Sequence, residues 1–424
     1  MKPKASSKKL LFVVIAGAWC FAALAQTALP GADVEGLLLI ARDGNPEYAG
    51  MRLEAEAAVQ RIEPAGALPD PKLRTELMDI TRGGQQNASL FPNRVGSTRY
   101  TLMQDIPWFG KRDLKREIAE LGAESARGLA LGTWADVSTK IKTTYAQQYY
   151  LSRNERLTRE ILDLMSRLEK VAHARYAGGL AAQQDVIRAQ VEQTSMRNEL
   201  IALETERHHM HTRMNALLAR PANAPLSEPE KLRPIPAPEK LDYATLEDRA
   251  WSGNPLLSAE ESRLRSAEKN RELTYKNRYP DFTFGIAPNQ MQNSISQWDL
   301  MFEMNIPLQQ GTRRAQERES ESMLAAARSR REATANQVLA DLSENLAALD
   351  AARKTETLVT GSLLPQAELT FKSALAGYEN GKVDFATLLD AQRQIRLAKQ
   401  NLIRAQAESQ VRLAEIERIL GEDI

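Results

Sequence analysis

Two kinds of hydrophobic periodicity alternate along the chain. One steps by four and three residues, which is the spacing of a coiled-coil seam on an α-helix. Its clearest run is Leu157, Ile161, Leu164, Leu168 and Val171. The other occupies every second position and predicts a β-strand with one apolar face. Its apolar members are Trp298, Leu300, Phe302, Met304 and Ile306.

The whole pattern occurs twice, about 200 residues apart. RYAGGLAAQQDVIRAQ, which begins at Arg175, shares its skeleton with GYENGKVDFATLLDAQ, which begins at Gly377. Gly-Asn-Pro at 44–46 recurs at 253–255, and an Ile-Pro pair ahead of a basic helix start recurs at 106–107 and 306–307. Landmarks that recur in the same order indicate a tandem duplication of one large unit.

Each unit is predicted to contain a helix, two strands, a long helix and a shorter return helix. The first unit covers 26–220, with strands 72–80 and 97–106, a long helix 110–176 and a return helix 183–219. The second covers 242–424, with strands 281–287 and 298–306, a long helix 311–378 and a return helix 384–420. At 1.5 Å per residue each long helix measures about 100 Å. The return helix reaches about half that distance, so the first helix of each unit is expected to stack on its end.

A proline-rich connector, 221–241, separates the two units. Its prolines predict an extended strap that crosses the outside of the helical body. A flexible linker between two independently folding halves is the alternative.

The composition agrees with long helices. Hydrophobic residues make up 43% of the chain, charged residues 26% and aromatic residues 6%, with a nearly balanced charge. This excludes a nucleic-acid binder and a disordered chain. HExxH, GxSxG and phosphate-loop motifs are all missing, so neither an enzyme nor a cofactor is expected.

The first 25 residues have the features of a cleaved secretory signal. Lysines precede an apolar stretch that ends in an Ala-x-Ala site at 23–25. A retained membrane anchor is the alternative. The one cysteine, Cys20, lies in this segment, and Trp19 before it argues against lipoprotein-type processing. No later apolar run is long enough for a spanning helix, so any membrane passage would use strands.

The strand over 298–306 has nearly the length of a tilted membrane strand, although a half-buried strand of a soluble sheet has the same pattern. Four strands per chain cannot close a barrel, and open edges are not tolerated in lipid. Two chains would give eight strands with a filled interior, and three would give twelve with a lumen. The expected fold is mainly α, with tandem helical hairpins forming an α-barrel and four strands per chain in a 12-stranded β-barrel of a homotrimer.

These features make the chain similar to TolC-type outer membrane factors, the exit ducts of tripartite efflux and type I secretion machines. The most specific parts are the duplicated turns and the helix-start motifs QDIPWFGKR and NIPLQQGTRR. The resemblance implies a passive outer membrane channel with a helical tunnel in the periplasm. It also implies a periplasmic adaptor (membrane fusion protein), an inner-membrane RND-type pump and outer membrane lipids as partners. MNALLARPANAPL resembles members that work with heavy-metal exporters, which favours metal cations as substrate.

The resemblance also implies a gate at the hairpin tips. Asp390 matches a ring aspartate, and Thr387 takes the companion ring position. Tyr378 matches the gate tyrosine and Asp185 the aspartate to which it is tied. Lys382 lies beside the position where an arginine is expected, so the latch is altered. A solvated surface carboxylate is the alternative for Asp390.

The hairpin tips are expected to contact the adaptor through Tyr176, Gly178, Gly179, Gly377 and Gly381. Pro365 lies within the second long helix and is expected to kink it, because proline removes a backbone hydrogen bond. The first long helix has no proline at the matching place. We therefore expect the second hairpin to bend when the gate opens.

Three histidines at 208, 209 and 211 raise the question of a metal site. His208 and His211 share a helix face while His209 points elsewhere, so the cluster cannot close a site alone. Solvated or capping histidines are the preferred interpretation. The rival class for the whole chain is a periplasmic adaptor or structural coiled-coil protein without a membrane barrel. An adaptor would have one helical hairpin, whereas this chain has two, each with a strand pair.

Overall fold

The computed structural model describes residues 29–424, so the predicted signal segment 1–25 lies outside the described residues. The first unit contains α1 (Val34–Gly44), α2 (Pro46–Gln60), α3 (Ile62–Gly66), β1 (Lys72–Met78), β2 (Ser97–Ile106), α4 (Lys111–Ala177) and α5 (Gln183–Leu217). The second contains α6 (Tyr243–Gly253), α7 (Pro255–Lys276), β3 (Phe282–Met291), β4 (Ser294–Met304), α8 (Gln310–Leu358), α9 (Leu364–Glu379) and α10 (Phe385–Leu420). A π-helical turn, Val359–Leu363, joins α8 to α9.

The predicted fold class is confirmed. Two long helical hairpins dominate the chain, and the four strands that the described residues contain form one antiparallel sheet in the order β1-β2-β3-β4. Helix α4 runs unbroken for 67 residues, which makes it about 100 Å long. Within residues 29–424, no helix is both long enough and apolar enough to cross a bilayer.

Several boundaries differ from those expected. Strands β3 and β4 extend toward each other well beyond 281–287 and 298–306, because Gln292 adopts a left-handed φ of 55° and closes a tight turn. Ile306 lies beyond the end of β4. Strand β1 stops at Met78, before Asp79 with its φ of 52°. The second long helix is not continuous, because the π-helical turn interrupts it.

Two asparagines join the short helices end to end. Asn45 accepts a hydrogen bond from the Tyr48 amide at 3.0 Å and donates from Nδ2 to the Leu217 carbonyl at 2.8 Å. It therefore caps the start of α2 while satisfying the end of α5. Asn254 does the same between α7 and α10, with the Leu257 amide and the Ile419 carbonyl both at 2.8 Å. Each Gly-Asn-Pro motif is thus a joint between two helices.

The helices form a wall of four columns. Helix α4 packs against α5 and α2, and also against α7 and α10, while α8 packs against α7 and α10. The column order is therefore α2 with α5, then α4, then α7 with α10, then α8 with α9. The sheet follows the same order, because α3 leads into β1, β2 into α4, α7 toward β3, and β4 into α8. One side of the wall ends at β1 and the other at β4.

The connector lies against the helices as a strap. The Tyr145 hydroxyl donates to the Lys231 carbonyl at 2.9 Å. Arg233 forms two 3.0 Å bonds to Glu417, whose side chain is only 3% exposed. Lys142 of α4 reaches the same carboxylate at 2.7 Å. One buried ionic node therefore ties the strap to α4 and α10.

The same position anchors the strap in both units. Asn215, the counterpart of Glu417 at an offset of 202 residues, donates to the Ala222 and Ala224 carbonyls at 3.0 and 2.9 Å. The beginning of the strap is thus held by a neutral amide and its later part by a charge pair.

We predict that Asn254→Ala loosens both helix ends at its joint. Losing a cap costs about 1 kcal/mol, so amide hydrogen exchange in the first turn of α7 and the last turn of α10 should rise about fivefold. Asn254→Asp should keep the α7 cap and loosen only the end of α10. Asn270→Ala, in the middle of α7, is the matched control, and unchanged exchange at the end of α10 in Asn254→Ala would contradict the joint.

Candidate functional site

Both hairpin tips are closed by the same glycine turn. Gly179 and Gly381 have φ of 70° and 72°, which only glycine adopts without strain. The Leu180 amide donates to the Arg175 carbonyl and the Lys382 amide to the Gly377 carbonyl, both at 2.8 Å. This is the Schellman arrangement that ends a helix. Of the other tip residues, Tyr176 is exposed, whereas Gly377 packs against Val383. Gly178 caps the end of α4.

Tyr378 lies in the buried cluster between the tips, with 3% of its surface exposed. Its ring packs against Phe385 at 5.2 Å, and the Arg175 guanidinium lies 5.0 Å from its centre. The hydroxyl is buried and has no hydrogen-bond partner among residues 29–424. Burial, together with the Asp185 carboxylate, raises the pKa of Tyr378. Burial also raises the pKa of Asp185. The two residues are neighbours without a hydrogen bond between them.

The remaining predicted gate residues lie at the start of α10. The Asp384 side chain caps this helix and accepts from the Thr387 amide at 2.9 Å and from the Thr387 hydroxyl at 2.5 Å. The amide and the hydroxyl of Thr387 are therefore both bound by the capping carboxylate of Asp384. Asp390 is exposed and accepts from Gln394 at 3.0 Å, and Lys382 is exposed.

Arg175 is a tip residue whose role the sequence did not reveal. Its guanidinium donates to the Glu379 carbonyl at 2.7 Å and to the Leu180 carbonyl at 3.4 Å. It therefore links the two hairpins while covering the ring of Tyr378. One feature of the sequence could have pointed to this role: the duplication is not kept at this position, where the second unit has Gly377 in place of an arginine.

Ion pairs join the return helices behind the tips. Arg393 of α10 pairs with Glu192 of α5. Farther along, Arg396 reaches Glu199 at 3.2 Å, and Gln400 donates to Glu199 at 3.3 Å. These contacts connect residues about 200 positions apart, so no local pattern announces them.

The first hairpin contains a polar clasp that the second lacks. Glu169 of α4 accepts from Gln190 at 2.8 Å and from Gln193 at 2.6 Å, both on α5. These hydrogen bonds lower the pKa of Glu169. The corresponding positions of the second hairpin hold Phe371, Gln392 and Ile395.

Gln392 therefore lacks the acidic partner that Gln190 has. It is 1% exposed, and neither atom of its side-chain amide has a hydrogen-bond partner in the described part of the chain. An unsatisfied buried amide destabilises the packing around it. At this position the second hairpin therefore lacks the polar tie that the first has.

Pro365 is the second residue after the π-helical turn 359–363. In a regular helix its ring would clash with the carbonyl four residues earlier, at Gly361, and its missing N–H would leave that carbonyl unpaired. A π turn widens the backbone at this point and relieves the clash. The structure therefore has a widened turn beside Pro365.

The sheet has one apolar and one polar face. Leu73, Leu102, Ile286 and Leu300 are paired directly across all four strands, and they are 42% to 87% exposed. The predicted strand residues Trp298, Phe302 and Met304 lie on this face by alternation, and all are exposed. On the other face Arg99 reaches Asp299 at 3.5 Å and Glu76 at 4.0 Å.

The histidines are not gathered into a metal site. His211 is half-buried, and burial together with the Arg207 charge lowers its pKa. His209 lies 3.6 Å from Glu206. Among residues 29–424, no group of three or more His, Cys, Asp or Glu side chains is arranged to hold a metal ion. His208 and His211 thus gain no further ligands of these types.

Long paired hairpins attached to a sheet with open edges define the wall of a channel, rather than a compact binding domain. The family model for outer membrane efflux proteins matches residues 37–220 and 246–422, and the chain belongs to this family. It is therefore an outer membrane efflux channel and not an enzyme. The rival interpretation as an adaptor without a barrel is wrong.

Individual relatives agree with this assignment. The chain is 24% identical over 396 residues to the cobalt-zinc-cadmium resistance protein CzcC of Cupriavidus metallidurans. The matched region covers 89% of this chain and 92% of CzcC. The outer membrane protein VceC of Vibrio cholerae shares the fold with a TM-score of 0.78 at 16% identity, covering 92% of this chain and 96% of VceC. CusC gives a TM-score of 0.78 at 16% identity, covering 94% of each chain.

We predict that Glu169→Gln weakens the first hairpin. Its charge-assisted bonds are partly exposed and worth about 1 kcal/mol, so exchange in the first turns of α5 should rise about fivefold at pH 7. Because the folded pKa is lowered, this stability is present above the ordinary value of 4.5 and is lost as pH falls through the lowered pKa. Variant and wild type should then converge in acid.

Glu160→Gln, on the exposed face of α4, is the matched control for this measurement. A difference between Glu169→Gln and wild type that stays constant down to pH 3 would show that the carboxylate is not responsible.

Proposed function

We propose that three copies of the chain close head to tail into one continuous conduit. The observation that carries this proposal is that sheet and helical wall run in the same column order and are open on the same two sides. The β1 edge of one copy can then pair with the β4 edge of the next, while the α2–α5 column meets the α8–α9 column. Contacts of this heterologous kind form a ring when the rotation closes.

The sheet is proposed to form one third of a 12-stranded barrel in the outer membrane. The exposed aliphatic row across all four strands supports an outward face against lipid, including the strand residues Trp298, Leu300, Phe302 and Met304, with Ile306 just beyond. The polar face with Arg99 and Asp299 would line a water-filled lumen. A cleaved, non-lipidated signal segment 1–25 would direct export.

The helical wall is proposed to form a tunnel through the periplasm. Its tips, with Tyr176 and the glycine turns, would meet a periplasmic adaptor, and through it an RND-type pump of the inner membrane. The likeness to CzcC supports divalent heavy-metal cations as the exported substrate. Conduction would be passive, with energy supplied by the pump.

The tips are proposed to form the gate. Asp390, exposed on α10, would contribute to a ring of three carboxylates that attracts cations. Tyr378, Asp185, Thr387 and Lys382 surround the turn that must move. The missing clasp, together with the widened turn before Pro365, supports the second hairpin as the moving arm.

Metal tolerance tests the proposed function. In the native bacterium, deletion of this gene should lower tolerance to Co²⁺, Zn²⁺ and Cd²⁺ severalfold and leave tolerance to ethidium unchanged, because only the metal route loses its exit. Growth inhibition is the measurement, and the wild-type gene supplied on a plasmid should restore tolerance.

Two other outcomes separate the parts of the proposal. Lost tolerance to ethidium with unchanged metal tolerance would refute the substrate and keep the conduit. Unchanged tolerance to both, with monomers in the purified membrane fraction, would refute the conduit.

We predict that Pro365→Ala stiffens the second hairpin. An alanine restores the N–H and removes the ring clash, so a regular α-helix can replace the π turn. In planar bilayers the variant should open less often than wild type, and export should fall. Gln366→Ala alters the adjacent exposed side chain without changing the backbone and serves as control. Unchanged opening and export in Pro365→Ala would remove Pro365 from the gate.

A further inference from the structure

The junction between the sheet and the helices combines exposed apolar side chains with an excess of basic residues. We call residues 105–116, 276–281 and 303–318 the collar. They contain the ends of β2, β4 and α7, the segment just before β3, and the starts of α4 and α8. Apart from Gln104, the two helix-start motifs lie within it, and of their residues only Ile306 was placed on the proposed lipid face.

Large apolar side chains on the collar are exposed. Phe109 and Leu308, one from each helix-start motif, are 79% and 80% exposed. Ile306 is exposed beside them. Each helix-start motif thus exposes one large apolar side chain within three residues of its Ile-Pro pair, at adjacent positions of the duplication.

Aromatic rings connect the collar with the apolar face of the sheet. Trp108 stacks on Tyr279 at 5.0 Å with nearly parallel rings, and it lies 5.7 Å from Phe282. Phe282 in turn lies 5.7 Å from Phe302 on the apolar face. The collar is therefore continuous with the face proposed to meet lipid. Amphipathic aromatic side chains favour the boundary between acyl chains and headgroups.

The collar is basic in a chain that is otherwise balanced. It holds nine Lys or Arg residues and five Asp or Glu residues, whereas the whole chain has 56 and 55. Two of the acids are paired internally, Asp281 with Lys111 at 2.8 Å and Glu317 with Arg278 at 2.5 Å. The other acids are Asp105, Asp113 and Glu303.

Three basic residues of the collar are left exposed. Lys115, Arg314 and Arg318 have no carboxylate within ion-pair distance in the part of the chain described, residues 29–424. Arg314 and Arg318 are one helical turn apart on α8, and the Arg318 side chain donates to the Arg314 carbonyl at 3.2 Å. Their charges are available to an external anion.

We propose that the collar binds the headgroups of anionic phospholipids in the leaflet next to the helical wall. Phe109 and Leu308 enter the boundary of the acyl chains, and Lys115, Arg314 and Arg318 contact lipid phosphates. This proposal rests on the proposed function, since it requires the sheet to lie in a bilayer. Basic residues near a membrane surface favour anionic lipid electrostatically, and the attraction weakens with salt.

Tryptophan quenching by brominated lipid tests the proposal on the full-length protein in vesicles. Trp298→Phe leaves Trp108 as the tryptophan closest to the lipid, because Trp134 and Trp251 lie in the helical wall. Brominated phosphatidylglycerol should quench Trp108 more than brominated phosphatidylcholine at equal mole fraction. From the attraction of the three basic side chains we expect a preference of about a hundredfold at low salt.

The matched variants share the Trp298→Phe background. Arg314→Gln with Arg318→Gln should reduce the preference to about fivefold, since only Lys115 remains. Arg330→Gln is the control, because this exposed arginine lies about 24 Å farther along the same helix and should leave the preference intact.

The outcomes distinguish the two proposals. Equal quenching by both lipids, or a preference that survives loss of both arginines, overturns the collar proposal and leaves the conduit standing. Absence of Trp108 quenching by either lipid overturns the collar proposal. If neither lipid quenches the wild type, which retains Trp298 on β4, the sheet does not lie in the bilayer and the conduit is overturned as well.

Discussion

A helix of about 100 Å is stable in water only if another element covers its apolar side along the whole length. In this chain no return helix is long enough to cover α4, which runs for 67 residues. Two shorter helices stacked end to end therefore pack along it. The weak point is the junction between them, where the last carbonyls of one helix and the first amides of the next have no helical hydrogen-bond partners. Asn45 and Asn254 satisfy both sides of the junction with one side chain. The four-column wall depends on these two asparagine joints.

The duplication doubles the wall without closing it. Each unit supplies a joined column and a long column, and each long column continues into a strand, so sheet and helices share one order of elements. The β1 and β4 edges are left unpaired within the chain, and the proposed closure by further copies uses them. The two units have nevertheless diverged where they meet at the tips. The first is held by the Glu169 clasp, whereas the second has Phe371 in place of that acid.

Much of this could be predicted from the sequence, since helix length, coiled-coil seams and strand alternation are local patterns. The repeated Gly-Asn-Pro motif was visible in the sequence, but its role as a joint between two helices was not. The β3–β4 turn was missed because Gln292, a residue without strong turn preference, adopts a positive φ there. The π turn was missed because a proline alone does not say how the backbone relieves its clash. The contacts of Arg175 and Glu192 depend on packing between residues about 200 positions apart.

The buried node of Lys142, Glu417 and Arg233 has an evolutionary consequence. Replacing Glu417 removes the buried carboxylate that Lys142 and Arg233 share, at about 3–5 kcal/mol, whereas replacing either cation leaves Glu417 paired with the other. Glu417 is therefore the member least free to change, while the neutral Asn215 at the matching place faces no such restriction. Descendants of this chain should thus vary more freely where the strap begins than where it passes Glu417.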